Sequence, residues 1–302
     1  MNHYGNVSIE TAVNADKFIA LIQTLNLTPP VLIKPNWGTV ECFTEANILD
    51  WTLSAIPGEK LVIESHGWAR GEETLLQQPV SLTKANLRKG DRWFLDYSKI
   101  NPVLAKHQVE YLNLTEEIWA GRIADPALIR AAVEEKFSPV QFEDHYAKVP
   151  SRLYDLRGGT LLSLSKHKIV FYPLGVSLSI KNLFGLIPGP GRGKYHGKDH
   201  TFLDQSIVDI NKVYRSLFKI AGVIESIPSV AFLERDGEPT QLKPGCGLVF
   251  ASDDTISMDA LATAVSGRDP VTVGHIRLAG QNFGAWDKEP IKQAVLDGIK
   301  VF

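Results

Sequence analysis

Residues 29–67 read PPVLIKPNWGTVECFTEANILDWTLSAIPGEKLVIESHG. Val31-Leu32-Ile33, entered through Pro29-Pro30, is a short apolar run with no polar face, as expected of a strand buried on both sides. Leu49, Leu53 and Ile56 then recur at helical spacing after Thr44, the expected N-cap, until Pro57-Gly58 stops the helix. Leu61-Val62-Ile63 is the next strand. Strand, helix and strand in this succession predict a layered α/β arrangement.

The alternation extends both ways from this unit. Phe18, Leu21, Ile22 and Leu25 sit at helical spacing before it, and Val109 to Leu114 reads as a strand after it. Asp125-Pro126 opens a helix with an acidic cap and proline at the first position, with Leu128, Ala132 and Val133 expected to face inward. Leu161-Leu162-Ser163-Leu164 reads as a central strand, and Val176 to Ile180 as a strand with one polar face. Thr201-Phe202-Leu203-Asp204 resembles a capping box, so a helix is expected from about Thr201 along Leu203, Ile207, Ile210, Tyr214 and Leu217. Leu248 to Ala251 is a further strand, followed by a helix from Asp254 or Thr255 to Gly267 and by two more helices. The expected fold is α/β: a layered, mostly parallel sheet with helices on both faces. Residues 1–302 make one unit, and a division into two lobes, if present, falls near 140–160.

The chain has 302 residues with 32 Lys+Arg against 34 Asp+Glu, a net charge of −2. Without a basic tract it lacks the electrostatics that dominate nucleic-acid affinity, so no nucleic-acid partner is expected. No apolar run approaches the ~20 residues of a membrane helix, and Met1-Asn2-His3-Tyr4-Gly5-Asn6 carries no secretory signature. A cytoplasmic protein with no membrane partner is expected. The two cysteines, Cys42 and Cys246, belong to no CxxC pattern and read as reduced thiols, and two are too few for the four that a protein-ligated iron–sulfur cluster usually takes, so none is expected.

Ligands of open α/β sheets bind beyond the carboxyl ends of strands, so the polar residues there are the first candidates. Lys34-Pro35-Asn36, Glu64-Ser65-His66-Gly67 and Asp253-Asp254 each follow a strand. Trp37 and Trp68 lie just past two of these ends, where they line a pocket or fill core. The richest stretch is 181–200, KNLFGLIPGPGRGKYHGKDH, whose glycines let backbone approach a ligand while Arg192 and Lys194 add positive charge. With the following helix N-terminus it suits an anion. It fits neither GxxxxGK[ST] nor GxGxxG, so neither ATP nor a dinucleotide is implied.

His196 and His200 are four apart, a ligand spacing on a helix, but the capping pattern places both before the helix. Together with Asp199 or Glu64 they are the candidate ligands of a divalent metal. Lys166-His167-Lys168 after the central strand is a second source of positive charge, with Lys168 the candidate for substrate binding. Asp254 and Asp259 lie in the first turn of a helix, where an acid is already useful as a cap or against the dipole.

The runs VLIKPN (31–36), LVIESHG (61–67), LLSLSKHK (161–168), SLSIKNLFGLIPGPGRGKYHGKDH (177–200) and FASDDTISMDALATAVSG (250–267) resemble the domain of unknown function 362 family. Ile180-Lys181-Asn182 with Gly185 and His200 is the most specific segment, and Ala251-Ser252 with Asp254 and Asp259 the next. The resemblance implies an α/β domain, often joined in relatives to a ferredoxin-like iron–sulfur module, with no general reaction assigned. This chain lacks that module. Where the family often carries Lys-x-Lys-Thr-His, Lys166 and Lys168 match but Ile169 and Val170 stand at the Thr and His positions. The family's Val-Asp-Gly turn is Ile224-Glu225-Ser226 here.

The reading these residues favour is an enzyme acting by acid–base chemistry, of isomerase or lyase type, on a small anionic metabolite such as an organic acid. Lys34, Arg192, Lys194 and Lys168 would hold the anion, and Asn36 and Asn182 would orient it. His66, His196, His200 and Lys181 are the candidate catalytic groups. The alternatives are an oxidoreductase with a bound or external redox cofactor, and a metal- or anion-binding protein without turnover.

Overall fold

The computed structural model describes residues 1–11, 13–171, 174–234 and 240–301. In chain order its strands are β1 (Asn2–Tyr4), β2 (Val7–Glu10), β3 (Val31–Pro35), β4 (Lys60–Glu64), β5 (Tyr111–Asn113) and β6 (Thr160–Lys166). There follow β7 (Lys168–Val170), β8 (Val176–Ser177), β9 (Lys219–Glu225), β10 (Ser229–Leu233), β11 (Gln241–Pro244) and β12 (Val249–Ser252). Eight of them form one sheet in the order β1-β2-β12-β9-β6-β3-β4-β5, and four form a smaller one, β11-β10-β7-β8. From β9 to β5 all neighbours are parallel, whereas β12, β2 and β1 add on antiparallel at the other edge. The fold is α/β with a mostly parallel sheet.

Side-chain alternation divides the sheet between two cores. Leu32, Leu61, Ile63 and Leu161 point to the face covered by helices Pro126–Lys136 and Leu203–Leu217. Val31, Ile33, Val62, Leu162 and Leu164 point to the face covered by helices Ala15–Ile22, Ala46–Ala55, Lys84–Tyr97 and Ile100–His107. A third core joins the β1–β2 hairpin to helices Thr255–Val265, Gly274–Phe283 and Lys288–Leu296. Every residue of β6 is buried, as a strand covered on both faces requires.

Several local expectations give way to tertiary partners. Thr44 does not cap the helix after β3; its hydroxyl accepts the Asn36 N–H (2.8 Å) and donates to the Leu164 carbonyl (3.2 Å), and the helix starts at Ala46. Thr201 caps nothing either, because the helix begins at Leu203 after Phe202 and Asp204 turns toward His275. Leu128 is 48% exposed and Ile129 fills the core in its place, while Val133 is buried as expected and Ala132 packs partly against the same core. The strand expected over Val176 to Ile180 ends at Ser177, and Ser179–Asn182 is a helical turn. The cause is Asp259, whose carboxylate accepts the N–H groups of Ser179 (3.1 Å) and Ile180 (2.8 Å). Leu114 belongs to the helix Leu114–Trp119 after β5.

Candidate functional site

The chain runs from β3 out to β4 and β5, then returns to lay β6 on the other side of β3. The carboxyl ends of β3 and β6 therefore flank the topological switch point, where α/β sheets commonly open a ligand crevice. Here a side chain fills it. Asn182 Nδ2 donates to the Lys34 carbonyl (2.9 Å) and to Ser163 Oγ (3.1 Å), while its Oδ1 accepts from Asn36 Nδ2 (3.1 Å) and Lys34 Nζ (3.2 Å). Lys34 Nζ also reaches Glu64 Oε2 and the Pro35 carbonyl, both at 2.7 Å. Burial pushes the Lys34 ammonium down to about 8, against the pull of Glu64. Gly185 lies over this pair so closely that a Cβ would stand 2.8 Å from Lys34 Nζ. Lys34, Asn36, Glu64 and Asn182 thus form a closed latch between strand ends and turn.

The open space lies beyond β4. A cavity of about 240 Å³ is lined by His66, Trp68, Leu82, Leu87, Arg192 and His196, with the backbone of 189–193 as its rim. Arg192 is anchored by three carbonyls: Nε donates to Ile187 (2.9 Å), and Nη2 to Gly185 (2.9 Å) and His66 (3.5 Å). Among the described residues no carboxylate is bonded to it, and burial brings its guanidinium down to about 10. His196 Nδ1 approaches His200 Nδ1 at 3.2 Å, and its ring packs edge-on against Phe184.

His66 is held on both nitrogens. Asn113 Nδ2 lies 3.1 Å from Nδ1, and Nε2 lies 2.8 Å from Glu116 Oε1, which assigns the proton to Nε2. Asp91 stands behind, 3.8 Å from Nδ1 and paired with Arg70 at 2.8 Å. The Arg88 guanidinium holds the Glu116 carboxyl down at about 2, so the acceptor of the His66 proton stays ionised.

A second row of polar groups follows β6 and β9. Lys166, completely buried, meets Glu45 (2.7 Å) and Glu225 (3.0 Å). Burial raises the Glu225 carboxyl to about 7, with Lys166 opposing the rise. Ile224-Glu225, expected as a turn, are instead the last residues of β9. Lys168 Nζ donates to the Cys42 carbonyl at 3.3 Å. Burial pushes Lys181 to about 8, and the neighbouring Lys168 lowers it further while Asp204 opposes. Asp204 is 3.5 Å from His275, a fully buried imidazole. Asp259 acts on Lys181 and Asn182 through the turn it caps, and burial raises its own carboxyl to about 7. Asp254 caps its helix through Ile256 and Ser257 N–H.

The expected site residues are thus divided. His66, Arg192 and His196 line one cavity; Lys34, Asn36, Glu64 and Asn182 are locked to each other; Lys168 and Lys181 stand apart from the cavity lining. Lys194 is exposed and bonds Asp144. Among the described residues no group of three or more His, Cys, Asp or Glu gathers around a metal position, so Asp199 and Glu64 do not join His196 and His200. Trp68 lines the cavity, whereas Trp37 is core, its Nε1 donating to the Thr44 carbonyl at 3.0 Å. Sequence reading missed Leu82 and Leu87, which carry no polar signal, and Asn113 and Glu116, which flank the end of a strand it did find.

Cys42 and Cys246 are free, and among the described residues no helix is long and apolar enough to cross a membrane. No curated protein and no solved structure matches the chain. The family model of the domain of unknown function DUF362 matches residues 31–264, a span from β3 to the end of the Thr255–Val265 helix that takes in the latch, the cavity rim and the Asp259-capped turn. The chain belongs to the DUF362 family.

Proposed function

We propose that this chain is an enzyme that moves a proton on a small organic acid bound in the cavity beyond β4. The observation that carries the reading is Arg192: a half-buried guanidinium, oriented by three carbonyls and lining a cavity, with no carboxylate bonded to it among the described residues. Glu64 acts on this cation only from a distance, through Coulomb attraction; a guanidinium held partly out of water with no bonded carboxylate is costly, and an anionic ligand offsets that cost. His196 lines the same cavity and supplies the acid–base group, imidazole being the side chain whose ordinary titration spans neutral pH. It takes the proton from the carbon next to the carboxylate. Returning that proton gives isomerisation; loss of a group from the adjacent carbon gives elimination. His66, with both nitrogens bonded to protein, shapes the cavity and holds Arg192 through its carbonyl.

The test is proton NMR in D2O on a panel of small organic acids. With the wild-type protein the signal of the proton next to a bound acid's carboxylate decays or a new product appears, and Arg192→Met and His196→Gln each slow this at least a hundredfold. If acids bind in an Arg192-dependent way and none is altered, the chain is a binding protein without turnover. If none binds, the reading fails.

A further inference from the structure

The cavity itself says which acids it takes. Among the described residues Arg192 is the one Lys or Arg in its lining; Lys194 points to Asp144 and Lys34 to Glu64. Apart from His66, His196 and the backbone of 189–193, the wall is apolar: Leu87 is buried, Leu82 is 46% exposed at the mouth, and Trp68 is 61% exposed, with Pro190 in the same lining. Gly193 adds no side chain and has nothing near the position of a Cβ. At about 240 Å³ the space is below the ~300–1,000 Å³ of sites for drug-sized ligands, so its occupant is small.

Resting on the reading above, we infer that the substrate class is monocarboxylates with an apolar body, aryl or branched alkyl, rather than dicarboxylates, hydroxy acids or phosphorylated metabolites. One guanidinium neutralises one carboxylate. A second carboxylate or a phosphate would lie against Leu82, Leu87 and Trp68 with no Lys or Arg beside it among the described residues, and a hydroxyl-rich body would leave donors unpaired against these side chains. A phenyl or isobutyl group instead removes the exposed faces of Trp68 and Leu82 from water.

Isothermal titration with 3-phenylpropanoate, 4-methylpentanoate, acetate, succinate, malate and 3-phosphoglycerate tests this, with the part of the tryptophan fluorescence change that Trp68→Phe abolishes as an independent readout. The two apolar acids are expected to bind at least tenfold more tightly than the others. Arg192→Met should weaken them at least tenfold. Leu82→Asn and Trp68→Ser, both at exposed positions, should weaken the apolar acids severalfold. Succinate, malate or 3-phosphoglycerate binding as tightly as the apolar acids, still through Arg192, would overturn this inference while leaving the anion-binding reading intact. Absence of binding by every acid, or binding indifferent to Arg192, would overturn both.

Discussion

Lys34, fully buried in β3, and Arg192, half-buried in the glycine-rich segment, are both cations held away from water, and their surroundings give them opposite tasks. Lys34 has Glu64 at 2.7 Å and no room beside it, so its charge is spent inside the protein. Lys34→Met would strand the Glu64 carboxylate in the interior, and a loss of about 3–5 kcal/mol is expected by urea denaturation, much of it regained in Lys34→Met/Glu64→Leu. A double variant as unstable as the single would show that the pair is not the cause. Sequence position singled out Lys34, Asn36, Asn182 and Arg192 alike, because all follow strands or lie in the glycine-rich segment. What it could not supply was the counter-ion: Glu64 is 30 positions from Lys34 and Asn182 is 148.

Elements were legible where the signal is local. β3, β4, β6 and β12 announce themselves as apolar runs, and Asp125 and Asp254 cap the helices they were expected to cap. Asp254→Ala is expected to cost about 1 kcal/mol, and Thr201→Ala close to nothing, since only the former bonds the first turn. Equal costs in thermal denaturation would refute the assignment. The Ser179–Asn182 turn was not legible, because the carboxylate that makes it helical lies 80 positions away. Asp259→Ala frees those two N–H groups, and hydrogen exchange at Ser179 and Ile180 should accelerate at least tenfold while the Asp254-capped turn is unchanged. The hairpin of β1 and β2 and, in the smaller sheet, β7, β10 and β11 escaped notice, while β8 was found as the start of the strand expected over Val176 to Ile180.

At the scale of the whole molecule the buried imidazoles give the fold an acid sensitivity. Burial holds His145 at about 3 and His167 at about 4, against an ordinary 6.5. Below 6.5 the unfolded chain binds protons at these sites and the folded chain does not, so stability falls as pH falls toward 4, by up to about 1.4 kcal/mol per pH unit for each. The melting temperature of His145→Phe should therefore drop less between pH 7 and pH 5 than that of the wild type; parallel drops would exclude the mechanism. His167 also has a place in the architecture. Its N–H donates to the Glu225 carbonyl (2.8 Å) and its own carbonyl accepts from Ala231 (3.1 Å), where β6 passes into β7 and β9 into β10. Two neighbouring backbone runs thus begin in one sheet and finish in the other. The smaller sheet is consequently no detachable module: a chain shortened to remove it would unravel the ends of β6 and β9, and Lys166 and Glu225 with them. Within the smaller sheet an inserted segment meets least resistance at the outer edges, β8 and β11, where only one neighbour holds the strand.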